Sequence, residues 1–70
     1  MDEYLVNSSN LQSVYYDPLS GTLIITFRNG SVYAYYGVPA AVNHGLRVAS
    51  SPGGFHHAFI KNSYPYRRLQ

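Results

Sequence analysis

The stretch Y-P-Y-R-R at 64–68 carries two tyrosines and two arginines, and Lys61 stands one helical turn before it. Aromatic rings stack on unpaired bases and cations neutralise phosphates, so this mixture suits single-stranded nucleic acid. Arg28 and Arg47 add cations earlier in the chain. The candidate nucleic-acid-binding set is therefore Arg28, Arg47, Lys61, Tyr64, Tyr66, Arg67 and Arg68. The same tail also reads as a strap held across a sheet by its two tyrosines, with the arginines in water. A second candidate is S-S-P-G-G at 50–54, where Ser51, Gly53 and Gly54 would present backbone amides to an anion. It lacks the Lys-Ser/Thr of a phosphate-binding loop, and it suits a helix cap and tight turn equally well.

His44, His56 and His57 raise metal and acid–base chemistry. Adjacent side chains on a helix point about 100° apart, so His56 and His57 do not form an i, i+4 chelate. No carboxylate follows Asp17, so a ligand set or an oriented base would have to come from distant residues. No metal site, cofactor or catalytic set is assigned, and the chain reads as non-enzymatic. One of the two adjacent histidines is expected to be half-buried and hydrogen-bonded, the other exposed. Cleavage of RNA by a histidine with Lys61 or Arg67 would need only a positioned acid and base.

These residues must be positioned by a very small fold. Seventy residues make one domain, 1–70, near the lower limit for folding without a disulfide or a metal, and the chain has no cysteine. Net charge is only +2, but it is unevenly spread: Asp2, Glu3 and Asp17 are all the acids, and every Lys and Arg comes later. A basic second half suits a polyanion. The acidic start lacks the basic segment and apolar run of a signal peptide, and no stretch approaches the ~20 apolar residues of a membrane span. The expectation is a cytoplasmic protein with no membrane association.

Residues 1–9 read as a loose lead-in. Residues 13–17 have strand character, D-P-L-S-G at 17–21 is a turn, and T-L-I-I-T-F at 22–27 is the clearest strand. Asn29-Gly30 follows as a turn, then residues 32–36 as a third strand. After Val38-Pro39 the apolar positions Val38, Ala41, Val42, Leu46 and Ala49 recur at helical spacing, with Gly45 on the same stripe. Gly45 either lets this helix approach the sheet closely or merely weakens it. Ser51-Pro52 caps a second, shorter helix carrying Phe55 and Phe59 one turn apart. Pro65 keeps the end extended. The fold class is α+β: a three-stranded antiparallel meander followed by two short helices packed on one sheet face.

The core candidates are Leu23, Ile25, Phe27, Val38, Val42, Leu46, Phe55, Phe59 and Ile60. Each contributes roughly 1.5–3 kcal/mol when fully buried, and ordering entropy offsets nearly all of the sum. So short a chain needs tyrosine rings inside as well. Whether Tyr33 and Tyr35 are among them depends on hairpin register. A two-residue Asn29-Gly30 loop pairs Ile25 with Ala34 and turns both tyrosines outward. A three-residue loop, 28–30, with Gly30 left-handed, pairs Ile25 with Tyr33 and Leu23 with Tyr35 and turns them inward. Polarity favours the first and scarcity of core the second.

The ordered series S-S-N-L, L-x-I-x-F-R-N-G-S-V-Y-x-Y, V-P, A-x-S-x-G and I-K-x-x-Y-P-Y, over about residues 7–69, resembles the KTSC domain. That family occurs alone and at the C-terminus of some lysyl-tRNA synthetases. Its central Y-x-Y falls on Tyr33 and Tyr35, its Val-Pro on Val38 and Pro39, its Ser-x-Gly on Ser51 and Gly53, and its Tyr-Pro-Tyr on 64–66. His56-His57 stands where the family has an aromatic-Asn pair. The resemblance implies a compact sheet-plus-helix domain and suggests RNA as a ligand. The position between its two tyrosines is often polar, which favours the three-residue loop. Tyr36 and the 64–68 tail then remain as surface candidates. The functional expectation is a small binding module for RNA or single-stranded nucleic acid; the alternative is a protein-interaction module or small regulator.

Overall fold

The computed structural model describes residues 2–6 and 8–70. Five strands form one antiparallel sheet in chain order: β1 (Asp2–Leu5), β2 (Leu11–Asp17), β3 (Thr22–Phe27), β4 (Val32–Tyr35) and β5 (Tyr66–Arg68). Helix α1 (Ala40–Val48) and helix α2 (Pro52–Phe55), which runs on into a π-helical stretch (His56–Ile60), lie between β4 and β5 in the chain. The α+β class holds, but the expected meander of three strands is two strands short. The lead-in supplies β1, which pairs with β2 from Asp2↔Tyr16 to Leu5↔Ser13. Met1 and Asn7 of that lead-in lie outside the described residues. The tail does not strap across the sheet; it lies beside β4 as an edge strand, with Tyr35 opposite Tyr66 and Tyr33 opposite Arg68.

Hairpin β3–β4 adopts the three-residue loop. Gly30 has φ +92°, and the Phe27 amide donates to Ser31 O at 2.9 Å while the Gly30 amide donates to Phe27 O at 3.0 Å. Ile25 therefore faces Tyr33, and Leu23 faces Tyr35. Because side chains alternate across a strand, Tyr33 and Tyr35 share the helix-facing side with Leu23, Ile25 and Phe27.

The core lies between that face and the helices. Leu11, Leu23, Ile25, Leu46 and Ile60 are fully buried, joined by Val6, Val14, Tyr16, Phe27, Tyr35 and Val38. Val42 and Phe55 are only partly buried, and Phe59, an expected core residue, is 58% exposed with its ring against that of Phe55 at 4.8 Å. Gly45 makes room for Phe55 and not for the sheet: a Cβ there would lie 2.6 Å from the end of that ring.

Three inward tyrosines fasten sheet to helical layer through their hydroxyls. Tyr4 on β1 donates to Asn43 Oδ1 of α1 at 2.8 Å. Tyr16 on β2 donates to Val38 O at 2.7 Å, and Tyr35 on β4 meets His56 Nε2 at 2.7 Å. A ring fills volume that so short a chain cannot fill with aliphatic residues, and its hydroxyl must then find a partner. No helix among the described residues is long and apolar enough to cross a membrane.

Candidate functional site

At the β4–β5 end of the sheet the helix-facing side is not fully covered, and an open cleft of about 320 Å³ remains. Alternation along β4 aims Tyr33 and Tyr35 at it, their rings 6.4 Å apart and 22° from parallel. Pairing of β5 on β4 brings Tyr66 beside them, 5.8 Å from Tyr33 and 6.0 Å from Tyr35. Tyr66 remains 59% exposed. Phe27 closes the other side with its ring edge-on to Tyr33 and to His56, at 5.8 and 5.2 Å.

The second helix supplies the rest. Ser51 caps it, its Oγ accepting from the Gly54 amide at 3.2 Å, with Pro52 in the first turn. The Lys61 amide then reaches back five residues to His56 O at 2.9 Å. Such π turns recur at functional sites because the extra residue re-aims side chains that an α-helix would stack. Here His56 and Ile60 turn inward, while His57, Lys61 and Asn62 come to the cleft mouth. Asn10, Asn29 and Ser31 reach it from the turns preceding β2 and β4.

Electrostatically the floor is neutral and the mouth positive. Burial pushes the His56 pKa below its ordinary value, and the nearby positive charges of Lys61 and His57 push it the same way, so the ring is uncharged at neutral pH. Burial, then the neighbouring hydroxyls of Tyr33 and Tyr66, raises Tyr35 to about 12. No carboxylate lines the cleft among the described residues.

Of the residues expected to bind nucleic acid, the fold brings Lys61 and Tyr66 to the cleft and pairs Arg68 with Tyr33 beside it. The Arg68 guanidinium lies 5.8 Å above the Tyr33 ring. Arg67 pairs with Ala34 and so points to the opposite sheet face. Arg47 sits over the Tyr4 ring at 5.0 Å, in a separate depression shared with Leu5 and Pro52. Arg28 donates from Nε to Ser8 O at 2.6 Å and ties the hairpin to the turn before β2. Tyr64 is no surface residue but packs half-buried against the core. The amides of Gly54 and Phe55 are both taken by Ser51, so the 50–54 loop has those two donors already engaged in its own cap. Gly53 lies at one end of the cleft. His56 is buried and bonded and His57 exposed, the division expected of the pair. Sequence reasoning missed the cleft's asparagines and the Tyr35–His56 bond; the only signal was the i, i+2 spacing of Tyr33 and Tyr35.

Comparison with known proteins agrees with this architecture. The chain matches the KTSC domain family over residues 7–64. A lysine–tRNA ligase from Nostoc sp. is 38% identical over 61 residues, covering 87% of this chain and 11% of that protein. The corresponding figures for the lysine–tRNA ligase of Trichormus variabilis are 41% over 54 residues, 77% and 10%. The chain thus spans about a tenth of the length of these relatives. An uncharacterised protein from Stutzerimonas stutzeri is 36% identical over 70 residues, covering 99% of both chains. The crystal structure of a KTSC domain protein from Yersinia pestis superposes with a TM-score of 0.91 at 34% identity, over 99% of this chain and 97% of that one. With sequence match, end-to-end relatives and fold all in agreement, the chain belongs to the KTSC domain family.

Proposed function

We propose that this domain is a non-enzymatic module that binds single-stranded RNA at the β4–β5 cleft. The observation that carries the reading is the convergence of exposed Tyr66 and Lys61 at an aromatic-walled cleft with no carboxylate among the described residues, with the Arg68 guanidinium beside it over the Tyr33 ring. Rings take base faces, and the two cations take phosphates. Kinship with a segment of lysine–tRNA ligases, proteins that act on tRNA, supports the same ligand class and a cytoplasmic location.

The test is binding of tRNA and short oligoribonucleotides as salt is varied. Two phosphate contacts on a single strand give a log–log salt slope of about −1.4, or roughly sevenfold weakening between about 50 and 200 mM. Lys61→Ala and Arg68→Ala should each reduce that slope by about 0.7, and Arg47→Ala should leave it unchanged. Absence of any retained RNA at low salt would overturn the reading. A second reading, protein binding at the uncovered sheet face, draws on exposed Tyr36 and on Ile24 and Val32, which that face carries beside it. A polypeptide partner retained after nuclease treatment would favour it.

A further inference from the structure

The cleft carries more hydrogen-bonding chemistry than a phosphate requires. A phosphate needs donors only, and cations supply them. Here the interior is neutral and both donates and accepts. His56 spends Nε2 on the Tyr35 hydroxyl at 2.7 Å, which orients the ring, and the residue lines the cleft. Asn29 Oδ1 is held by the Ser31 amide and hydroxyl at 3.0 and 2.7 Å, which fixes that amide and leaves its NH₂ to donate. Asn10 and Asn62 also line the space, and an asparagine amide offers both a donor and an acceptor. Against these stand the rings of Tyr33 and Tyr66.

Apolar faces combined with a mixed donor–acceptor edge match a planar, uncharged heterocycle. A volume of about 320 Å³ stands near the lower end of ligand pockets, suiting one nucleotide and excluding a duplex. We infer that the cleft takes a single extruded base of unpaired RNA, stacked on the exposed ring of Tyr66 beside Tyr33 and read at its edge by Asn10, Asn62 and His56. Lys61 and Arg68 hold the adjoining phosphates. The domain then recognises a base as well as a backbone. This rests on the RNA-binding reading above and adds to it where the base goes.

The experiment compares a short oligoribonucleotide with an abasic ribose–phosphate chain of the same length. The intact strand should bind roughly 5- to 150-fold more tightly, the range that one stacked base contributes. Tyr66→Ala and Asn62→Ala, both at exposed positions, should shrink that ratio, whereas Lys61→Ala should weaken both strands alike. Equal binding of the two strands overturns base insertion and leaves RNA binding standing. A ratio untouched by Tyr66→Ala and Asn62→Ala overturns this cleft as the base site. Binding of neither strand overturns both readings.

Discussion

Replacing Tyr35 by Phe removes one oxygen and keeps the ring, its stacking on Tyr33 and its contact with Tyr66. What it takes away is the 2.7 Å bond to His56 Nε2, in surroundings where both residues are less than a tenth exposed. The imidazole nitrogen then has no partner and little water, and leaving such a group unsatisfied costs about 1–3 kcal/mol. For a domain of this size about 1 kcal/mol lowers Tm by about 4–8 °C, so Tyr35→Phe should melt roughly 4–24 °C lower. Thermal and urea unfolding followed by circular dichroism above about pH 7.5, where His56 is neutral, give the number. The companion Tyr36→Phe, at a position 38% exposed, should change stability by less than about 0.5 kcal/mol. Adding His56→Leu to Tyr35→Phe removes both polar partners together, so the double variant should recover part of the loss. A Tyr35→Phe protein as stable as the parent, with no coupling between the two positions, would refute the buried bond and the oriented His56 that the base-reading inference uses.

Two further outcomes follow from the same packing. His56 has a folded pKa below its unfolded value near 6.5, so the unfolded chain takes up a proton that the folded one resists. Its contribution is fully present above about pH 6.5 and is lost as pH falls from there through the folded pKa. Urea midpoints measured between about pH 8 and pH 5 should show this drop, and His56→Gln should remove it; a flat profile in the parent argues against a buried neutral ring. Gly45→Ala gains up to about 1 kcal/mol of helix propensity but drives a methyl within 2.6 Å of the Phe55 ring, an overpacking that costs about 1–3 kcal/mol. The substitution should therefore destabilise the parent and stabilise a Phe55→Ala background, and stabilisation in both would refute the close packing.

Local chemistry was legible in the sequence wherever a few neighbouring residues decide the outcome. Asn29-Gly30 made a hairpin; scarcity of apolar volume favoured the register that turns Tyr33 and Tyr35 inward and polarity the other, and the resemblance to the KTSC pattern decided between them. Ser51-Pro52 announced the cap of the second helix. The two edge strands were not legible. β1 and β5 are four and three residues long, and every residue of β5 is exposed, so no apolar alternation marks it. Leu11 and Val14 are both buried although three apart, a spacing that ordinary alternation assigns to opposite faces. The bulge between Leu11 and Ser13 restores them to one side. Phe59 was expected inside on α-helical spacing, and it lies in the π-helical stretch, where that spacing no longer holds.

By itself, then, the sequence determined the class of fold, the central hairpin and an uneven charge with its aromatic tail, because propensity, turn stereochemistry and composition act within a few residues. Only the tertiary structure decided which cations share a site. Pairing β5 on β4 splits adjacent Arg67 and Arg68 between opposite faces, and it seats Tyr66 opposite Tyr35 across thirty residues of intervening chain. The bond from Tyr35 to His56 spans 21 residues and depends on a π turn with no sequence marker. A site assembled from a strand, a helix end and two turns is defined by distances in space, and neighbouring residues along the chain carry no record of them.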